Sequence, residues 1–209
     1  MGRARRRKPQ AGTNRSVRIV AGAWRGRVLK APAAQTTRPT TDRVKEAMMS
    51  ALFSARGGFE GAWVLDAFAG SGALGLEALS RGAEHARFCE ADAAALRILQ
   101  GNIDCLEGAS ARCEVLRGDA LKMAGTGTAR PFDLVLLDPP YALPAAEVMT
   151  FIDGLHACGA LAPEALVCYE HAKTDDSAVR SECERIQWDV LKMKSYGDIA
   201  FALLRKERR

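Results

Sequence analysis

The sequence predicts a doubly wound α/β fold built on a mostly parallel β-sheet. From residue 61 onwards, short apolar segments alternate with segments of helical periodicity, which is the order expected of a sheet covered by helices. The segment 134–137 is apolar at every position, as expected of a strand that is buried on both faces. The last two apolar segments are separated only by a short turn at 196–198. They therefore predict an antiparallel pair at the end of the chain.

Seven strands are predicted in the main part of the chain, with three helices between them. The strands cover residues 63–67, 86–90, 113–116, 132–137, 166–169, 186–193 and 199–204, and the helices cover 72–81, 93–105 and 145–156. Upstream, two short strands at 17–21 and 27–30 flank a turn at 24–26. A further helix begins near Asp42 and ends at Gly57 and Gly58, with apolar residues at helical spacing from Val44 to Leu52.

Length and composition predict a folded protein without a membrane segment. The chain has 209 residues, of which 48% are hydrophobic and 26% are charged, close to the average for globular proteins. We expect a basic disordered tail at 1–16, a hairpin and helix extension at 17–56, and a main domain at 57–209. No apolar run reaches the roughly 18 residues of a membrane span. A chain of this size can act as a monomer.

The cysteines and histidines indicate neither disulfides nor a metal site. The 6 cysteines are spread through the chain and form no Cys-x-x-Cys pair, which is typical of buried thiols in a reducing compartment. The histidines, His85, His156 and His171, are scattered without the spacing of metal ligands. We therefore expect a cytoplasmic protein that binds no metal.

The charge of the chain is unevenly distributed. Residues 1–45 contain 13 Lys and Arg and a single acidic residue, Asp42, whereas the remaining 164 residues contain 17 basic and 24 acidic residues. A strongly basic segment attached to a mildly acidic body favours a polyanionic partner. Beyond Val17 the basic residues are interleaved with apolar ones around Trp24, which predicts a folded basic surface bearing one aromatic side chain. For residues 2–8 the alternative is a solvated tail without a partner.

A glycine-rich segment follows the first predicted strand of the main domain. It reads Asp66-Ala67-Phe68-Ala69-Gly70-Ser71-Gly72, and it lies where a strand turns into a helix, so that small residues and free N–H groups can admit a ligand. Gly70, Gly72 and Gly75 also match the Gly-x-Gly-x-x-Gly fingerprint of dinucleotide binding, and Glu90 lies 20 residues after Gly70. Asp66 favours a different ligand, because a carboxylate repels a pyrophosphate and attracts the ammonium group of a methionine moiety. Glu90 can accept hydrogen bonds from ribose hydroxyls of either ligand.

The segment Asp138-Pro139-Pro140-Tyr141 directly follows the apolar strand at 132–137. Two consecutive prolines fix the backbone, remove two N–H donors and leave carbonyl oxygens as acceptors. Such a loop can present a carboxylate, a carbonyl and an aromatic ring to the exocyclic amine of a nucleobase. Hydrogen bonds to Asp138 and to the Pro139 carbonyl would orient the amine, and Tyr141 would stack on the base. Together with the glycine-rich segment, this motif predicts an S-adenosylmethionine-dependent methyltransferase acting on an exocyclic amino group.

Three other functions fit parts of this pattern. A DNA adenine-N6 methyltransferase shares the Asp-Pro-Pro-Tyr motif, but no segment of this chain is left over for a DNA recognition domain. A nicotinamide-dependent oxidoreductase shares the glycine fingerprint, although Asp66 disfavours it. A non-catalytic RNA-binding module would have no need of both motifs.

Five segments of the chain carry a resemblance to a known family. They are residues 18–27, 38–46, 68–82, 138–141 and 196–198, and the run Arg38-Pro39-Thr40-Thr41-Asp42-Arg43-Val44 is the most specific of them. The sequence resembles the RsmD-type bacterial methyltransferases, which modify a guanine N2 in 16S ribosomal RNA, over residues 17 to 205. It departs from that family at Ile199, where a threonine is expected, and in a longer and more basic tail before Arg15.

The resemblance implies a fold, a cofactor and a set of site residues. The fold is the Rossmann-like fold of class I S-adenosylmethionine-dependent methyltransferases, with a seven-stranded, mostly parallel sheet and a small N-terminal β-hairpin extension. The implied cofactor contacts are Asp66, Phe68, Ala69, Gly70, Ser71, Gly72, Glu90, Asp119 and Ala120, and the target guanine is held by Asp138, Pro139, Pro140 and Tyr141. The implied RNA contacts are Arg18, Trp24, Arg25, Arg27, Arg38 and Arg43. The implied partner is 16S rRNA or the 30S ribosomal subunit, and the helix after Thr41 would close over the cofactor.

Overall fold

The computed structural model describes residues 16–31, 42–123 and 127–207. In these ranges the strands are β1 (Ser16–Arg18), β2 (Val28–Lys30), β3 (Trp63–Asp66), β4 (His85–Glu90), β5 (Cys113–Arg117), β6 (Phe132–Leu137), β7 (Leu161–Ala172), β8 (Trp188–Tyr196) and β9 (Ile199–Lys206). The α-helices are α1 (Asp42–Arg56), α2 (Ala73–Ser80), α3 (Ala93–Asp104), α4 (Ala120–Met123), α5 (Ala145–Ala157) and α6 (Asp176–Ile186). Short 3₁₀ turns precede β5 and α6.

Strands β3 to β9 form one seven-stranded sheet in the order β5-β4-β3-β6-β7-β9-β8. The five strands from β5 to β7 in this order are parallel, and β9 is antiparallel to both of its neighbours. β1 and β2 form a separate antiparallel hairpin, in which Ser16 lies opposite Lys30. The predicted fold class is therefore confirmed, including the antiparallel pair at the end of the chain and the N-terminal hairpin. None of the helices in the described ranges is long and apolar enough to cross a bilayer.

The region between β7 and β8 differs from the sequence prediction. Helix α6 was not predicted, because only Val179, Cys183 and Ile186 are buried on an otherwise polar helix, so its apolar stripe is thin. The strand predicted from residue 186 begins at Trp188, since Ile186 is still the last residue of α6. β7 covers 12 residues where the sequence predicted a strand only at 166–169. The short helix α4 was also not predicted.

The sheet carries an apolar layer on each face, and β6 contributes to both. Leu134 and Leu136 pack in the layer that includes α1, α2 and α3, whereas Val135 and Leu137 pack in the layer with α5 and α6. This double coverage explains why the sequence is apolar at every position from 134 to 137. Helix α1 lies over β7 and β9, so it forms part of the main core.

Residues 16–31, which we call the N-terminal strap, lie across α2. The fully buried carboxylate of Glu77 on α2 accepts the backbone N–H of Val20 at 2.8 Å and that of Ala21 at 3.0 Å. One turn later, the Ser80 hydroxyl oxygen accepts the N–H of Trp24 at 3.0 Å and donates to the carbonyl of Ala21 at 2.6 Å. Polar side chains of α2 thus satisfy the strap backbone where no neighbouring strand does so.

The strap ends against α3. The side-chain amide of Asn102 accepts the N–H of Lys30 at 2.9 Å and donates to the Lys30 carbonyl at 2.9 Å, as a neighbouring strand would. The same amide nitrogen donates to the carbonyl of Ser71 in the glycine-rich loop at 2.9 Å. Because Asn102 is 1% exposed, these bonds form in a nearly dry environment, and the strap is tied to the segment that precedes α2.

We predict that Gly22→Ala destabilises the protein more than the matched change Gly26→Ala. Both glycines have a φ of 85°, so alanine at either position costs roughly 1–2 kcal/mol of left-handed strain. A Cβ at Gly22 would in addition lie 1.8 Å from the carbonyl oxygen of Ser80, whereas a Cβ at Gly26 meets nothing within 4 Å. Urea unfolding should therefore show a loss of free energy for Gly22→Ala that exceeds the loss for Gly26→Ala by about 1 kcal/mol or more. Equal losses would show that the strap does not depend on close contact with α2.

Candidate functional site

The strand order reverses between β3 and β6, which lie next to each other at the middle of the sheet. In open α/β sheets, the crevice outside the carboxyl ends of the strands at such a point is where ligands bind. A cavity of about 580 Å³ lies there. Of the predicted site residues, it is lined by Asp66, Phe68, Ala69, Gly70, Ser71, Glu90, Asp119, Ala120, Asp138, Pro139 and Pro140. The two motifs that lie far apart in the sequence thus meet in one cavity.

Asp66 is the last residue of β3 and is 1% exposed. Its Oδ2 accepts the backbone N–H of Gly75 at 2.9 Å. Burial raises the pKa of the Asp66 carboxyl to about 7, the hydrogen bond from Gly75 lowers it, and the charges of Asp138 and Glu90 raise it. Near neutral pH this group is therefore poised between its neutral and ionised forms. A cation in the cavity would favour the ionised form.

Glu90, the last residue of β4, ties the glycine-rich loop to the sheet. Its Oε2 accepts the N–H of Gly70 at 2.8 Å, and its Oε1 accepts the N–H of Asp92 at 2.7 Å. The 20-residue spacing between Gly70 and Glu90 thus corresponds to a direct hydrogen bond. Each carboxylate oxygen can accept a further bond, so Glu90 can also receive the hydroxyl groups of a ligand.

Two of the three fingerprint glycines are required by packing between helices and strands. Gly72 has a φ of 80° at the N-terminal cap of α2, and a Cβ there would lie 2.4 Å from a methyl group of Leu99. A Cβ at Gly75 would lie 2.4 Å from the ring of Phe88. Neither residue is part of the cavity wall, whereas Gly70 is. The close approach of α2 to α3 at Gly72 and to β4 at Gly75 therefore accounts for both glycines.

The Asp138 motif lies opposite the glycine-rich loop. Asp138 is half-buried, Pro139 is buried, and Pro140 is exposed. The carbonyl of Pro140 accepts the N–H of Leu143 at 2.8 Å, which folds the loop back towards α5. Tyr141 is not part of the cavity wall and is 38% exposed. The motif thus presents a carboxylate to the cavity and an aromatic ring to the solvent beside it.

Lys45 of α1 also lines the cavity, and sequence reasoning did not single it out. The side chain is 1% exposed, and its Nζ donates to the carbonyl oxygen of Arg18 and lies 3.3 Å from the carboxylate of Glu77. A signal was present in the sequence, because residues 48, 49 and 52 share the buried face of α1 with Lys45 at helical spacing. A lysine on an apolar stripe indicates a buried partner of opposite charge.

Three further lining residues, Cys89, Leu121 and Leu143, gave no signal in the sequence because they are ordinary apolar residues. Burial raises the pKa of the Cys89 thiol to about 11, so this group is protonated and behaves as a small apolar side chain. In the part of the chain that the structure describes, no group of three or more His, Cys, Asp or Glu residues could hold a metal ion.

Four of the six predicted RNA contacts are exposed, three on the strap and one at the start of α1. Arg25 and Arg27 are exposed on the strap, and Arg18 is exposed with its guanidinium donating to the carbonyl of Gly26 at 2.8 Å. Arg43 is exposed at the start of α1, in the wall of a second groove on the far side of that helix from the cavity. Arg38 lies outside the described residues.

The prediction that Trp24 stands on a basic surface is wrong. Trp24 is only 7% exposed, and its indole N–H donates to the carbonyl of Glu107 at 3.1 Å. The guanidinium of Arg112 lies 5.0 Å from the ring centre. The strap folds back onto α2 and α3. The Trp24 side chain therefore packs in the core beside these two helices and does not face a partner.

Known proteins resemble this chain over most of its length. Residues 17–205 match a family model described as "Conserved hypothetical protein 95". The chain is 37% identical over 204 residues to the ribosomal RNA small subunit methyltransferase D of Escherichia coli, with 96% of each chain covered. The chain belongs to the RsmD-type methyltransferase family. This methyltransferase is also 37% identical over 188 residues to the protein of the same name from Haemophilus influenzae, which covers 90% of this chain and 92% of the relative.

A solved structure shows the same relationship in three dimensions. The yhhF protein of Escherichia coli superposes on this methyltransferase with a TM-score of 0.74 at 34% sequence identity. The match covers 93% of this chain and 99% of the other. The similarity of fold therefore extends over almost the whole of both chains.

We predict that Lys45→Met destabilises this methyltransferase by about 3 kcal/mol, because it leaves the buried carboxylate of Glu77 without its lysine partner. Asp42→Asn is the matched control. Asp42 lies 4.0 Å from the same ammonium group but is exposed, so its removal should change the free energy of unfolding by less than about 0.5 kcal/mol. Urea unfolding measures both variants. A Lys45→Met protein as stable as the control would show that the buried pair contributes little.

Proposed function

We propose that this methyltransferase transfers the methyl group of S-adenosyl-L-methionine to the exocyclic N2 of a guanine in 16S ribosomal RNA. The observation that carries the proposal is one cavity that joins the carboxylates of Asp66 and Glu90 to the Asp138-Pro139-Pro140 loop. The relatives named as ribosomal RNA small subunit methyltransferases support the choice of RNA. The same names disfavour the alternative of a DNA adenine-N6 methyltransferase. The choice of guanine N2 rests on the resemblance to the RsmD-type family.

The cavity suits a zwitterionic nucleoside donor. Its volume of about 580 Å³ lies within the range of small-molecule sites. Asp66 can attract the ammonium group of the methionine part, and the oxygens of Glu90 can accept bonds from the ribose hydroxyls. Asp119 and Ala120, which follow β5, would line the adenine. When bound, S-adenosylmethionine supplies a methyl group made electrophilic by its sulfonium centre.

The Asp138 loop supplies the acceptor half of the site. The lone pair of an aromatic amine is delocalised into its ring, so the nitrogen is a poor nucleophile until it is oriented. Hydrogen bonds from its N–H groups to the Asp138 carboxylate and the Pro139 carbonyl would hold the nitrogen in line with the methyl group. Tyr141, which is exposed beside the cavity, would stack on the base. The amine loses its proton only after the methyl group is bound, so no strong base is needed.

The proposal is tested by methyl transfer from labelled S-adenosylmethionine to 30S subunits that lack the modification, to naked 16S rRNA and to DNA. We expect label in N2-methylguanosine from one of the two RNA substrates, identified by mass spectrometry of the nucleosides. Asp138→Ala should lower transfer on the order of 100-fold or more, because the amine is no longer oriented, while binding of S-adenosylhomocysteine is retained.

Asp189→Ala is the control for Asp138→Ala, since Asp189 is exposed on β8 at the opposite end of the sheet from the cavity. Its transfer rate should equal that of the wild type. Label found only as N6-methyladenine in DNA would contradict the assignment of 16S rRNA as the substrate. Unchanged transfer by Asp138→Ala would contradict the role of Asp138 in orienting the amine.

We predict that S-adenosylhomocysteine binds more tightly as pH rises towards 7 and that its affinity levels off above that value. The pKa of Asp66 is about 7 in the unbound protein, and the ammonium group of the ligand favours the ionised carboxylate. Below pH 7 the affinity should therefore fall by up to about tenfold per pH unit. Asp66→Asn should bind more weakly and lose this dependence, as measured by calorimetric titration between about pH 5.5 and 8. The same slope in Asp66→Asn would assign the titration to another group.

A further inference from the structure

A second groove, of about 980 Å³, lies on the other side of α1 from the cavity. Its walls are the exposed side of α1, with Arg43 and Glu46, and the end of β8, with Lys192, Lys194 and Tyr196. We call it the α1–β8 groove. Because Lys45 lines the cavity and its neighbours Arg43 and Glu46 line the groove, the first turns of α1 form a wall shared by both.

The β8 side of the groove follows from strand register. Lys192, Lys194 and Tyr196 lie opposite Leu203, Phe201 and Ile199 of β9, respectively, which are buried in the layer beneath α1. Residues paired across two strands share a face of the sheet, so the two lysines point to the same side as α1. Helix α1 covers β7 and β9, and both lysines are exposed. The face of β8 on this side is therefore charged where the same face of β9 is apolar.

The groove is basic and has an aromatic floor. Arg43, Lys192 and Lys194 face a single acidic residue of the lining, Glu46. The guanidinium of Arg43 lies 5.5 Å from the centre of the Tyr196 ring, and the Nζ of Lys194 lies 5.2 Å from it. Tyr196 thus holds two cations from different elements around one ring. Tyr196 and Gly197 of the segment 196–198, which carries part of the family resemblance, line this groove and not the cavity.

The groove lies at the same edge of the sheet as the Asp138 loop. The carboxyl end of β7 pairs with the start of β9 (Ala172 with Ile199), and the N–H of Lys173 donates to the carbonyl of Asp198 at 2.9 Å. Three strand spacings separate β6 from β8, which corresponds to roughly 14 Å. Lys192 and Lys194 lie two residues apart on the same face, about 7 Å from each other. Both distances suit an extended polyanion that passes from the groove to the cavity.

We propose that the α1–β8 groove binds the single-stranded RNA that flanks the target guanine, with Lys192, Lys194 and Arg43 contacting successive phosphates. This inference rests on the proposed function for its substrate and adds a binding site outside the cavity. Phosphate contacts of this kind position the strand without reading its sequence. The groove therefore determines which nucleotide reaches the Asp138 loop by fixing the path of the backbone.

Lysines on an edge strand have another known use, which is to prevent pairing of the edge with a second sheet. β8 is the edge strand of this sheet. The two lysines, however, face the α1 side of the sheet. If they serve only to protect the edge, their removal should change the oligomeric state and leave RNA binding unchanged.

The test is the double variant Lys192→Ala/Lys194→Ala, with Arg180→Ala/Arg185→Ala as the control. The control removes the same charge from exposed positions on α6, which packs on the opposite face of the sheet. We expect the lysine variant to raise about tenfold, with kcat unchanged, the KM for whichever of the unmodified 30S subunit and naked 16S rRNA accepts the methyl group, and to reduce the salt slope of RNA affinity by roughly 1.4. Its affinity for S-adenosylhomocysteine and its elution in size-exclusion chromatography should equal those of the wild type.

Two results would contradict the proposal that the α1–β8 groove binds RNA. One is an unchanged KM and salt slope in the lysine variant, and the other is an equal change in the α6 control. RNA affinity is also measured without turnover, by fluorescence anisotropy, so the groove can be judged separately from the chemistry. If the wild type transfers no methyl group to RNA but the lysine variant still loses RNA affinity, the proposed methyl transfer to RNA is wrong, whereas RNA binding by the groove is supported.

Discussion

The buried carboxylate of Glu77 is the interaction on which the arrangement around the cavity depends. It has no exposed surface, and its two oxygens receive the N–H groups of Val20 and Ala21, the Nε of Arg81 at 2.8 Å and the ammonium group of Lys45 at 3.3 Å. A buried carboxylate is tolerated only when its acceptor positions are filled in this way. Glu77 therefore requires the strap and α1 to be in place beside α2.

This requirement connects the N-terminal part of the chain to the donor side of the site. Helix α2 begins at the glycine-rich loop, and Gly72 and Gly75 bring it close to Leu99 and Phe88. The same helix holds the strap through Glu77 and Ser80, while Asn102 joins the strap to the carbonyl of Ser71. The glycine-rich loop is therefore held by the packing of α2 against α3 and β4, and by the hydrogen bond through which Asn102 connects it to the strap. A loop held in this way can present the N–H of Gly70 to Glu90 without further ordering.

The sequence predicted those features that arise from local patterns. Periodicity placed the seven strands and most helices, since apolar alternation and capping residues act over a few positions. The two motifs were predicted from their residues, and the parallel sheet brings them together because the carboxyl ends of parallel strands share an edge. Features that depend on distant partners were not predicted. Trp24 looked like a surface residue because nothing near it in the sequence reveals α2 and α3. The position of Lys45 on the buried face of α1 indicates a buried partner, but the sequence does not reveal that this partner is Glu77 on another helix.

The two sides of α1 have opposite electrostatic character, and this matches the two substrates of the proposed reaction. On one side, the cavity is lined by four acidic residues, Asp66, Glu90, Asp119 and Asp138. The lysine that lines it, Lys45, is already paired with Glu77. Such a cavity attracts a sulfonium cation and binds the neutral thioether that remains after transfer less strongly. On the other side, three cations face one acid in the groove. A polyanion is drawn to the groove and repelled from the cavity, so only an inserted base, which carries no charge, can approach Asp138. Helix α1 thus separates the cavity, which binds the cationic donor, from the groove, which binds the anionic RNA strand. The donor and the RNA meet only at the exocyclic amine of the target base.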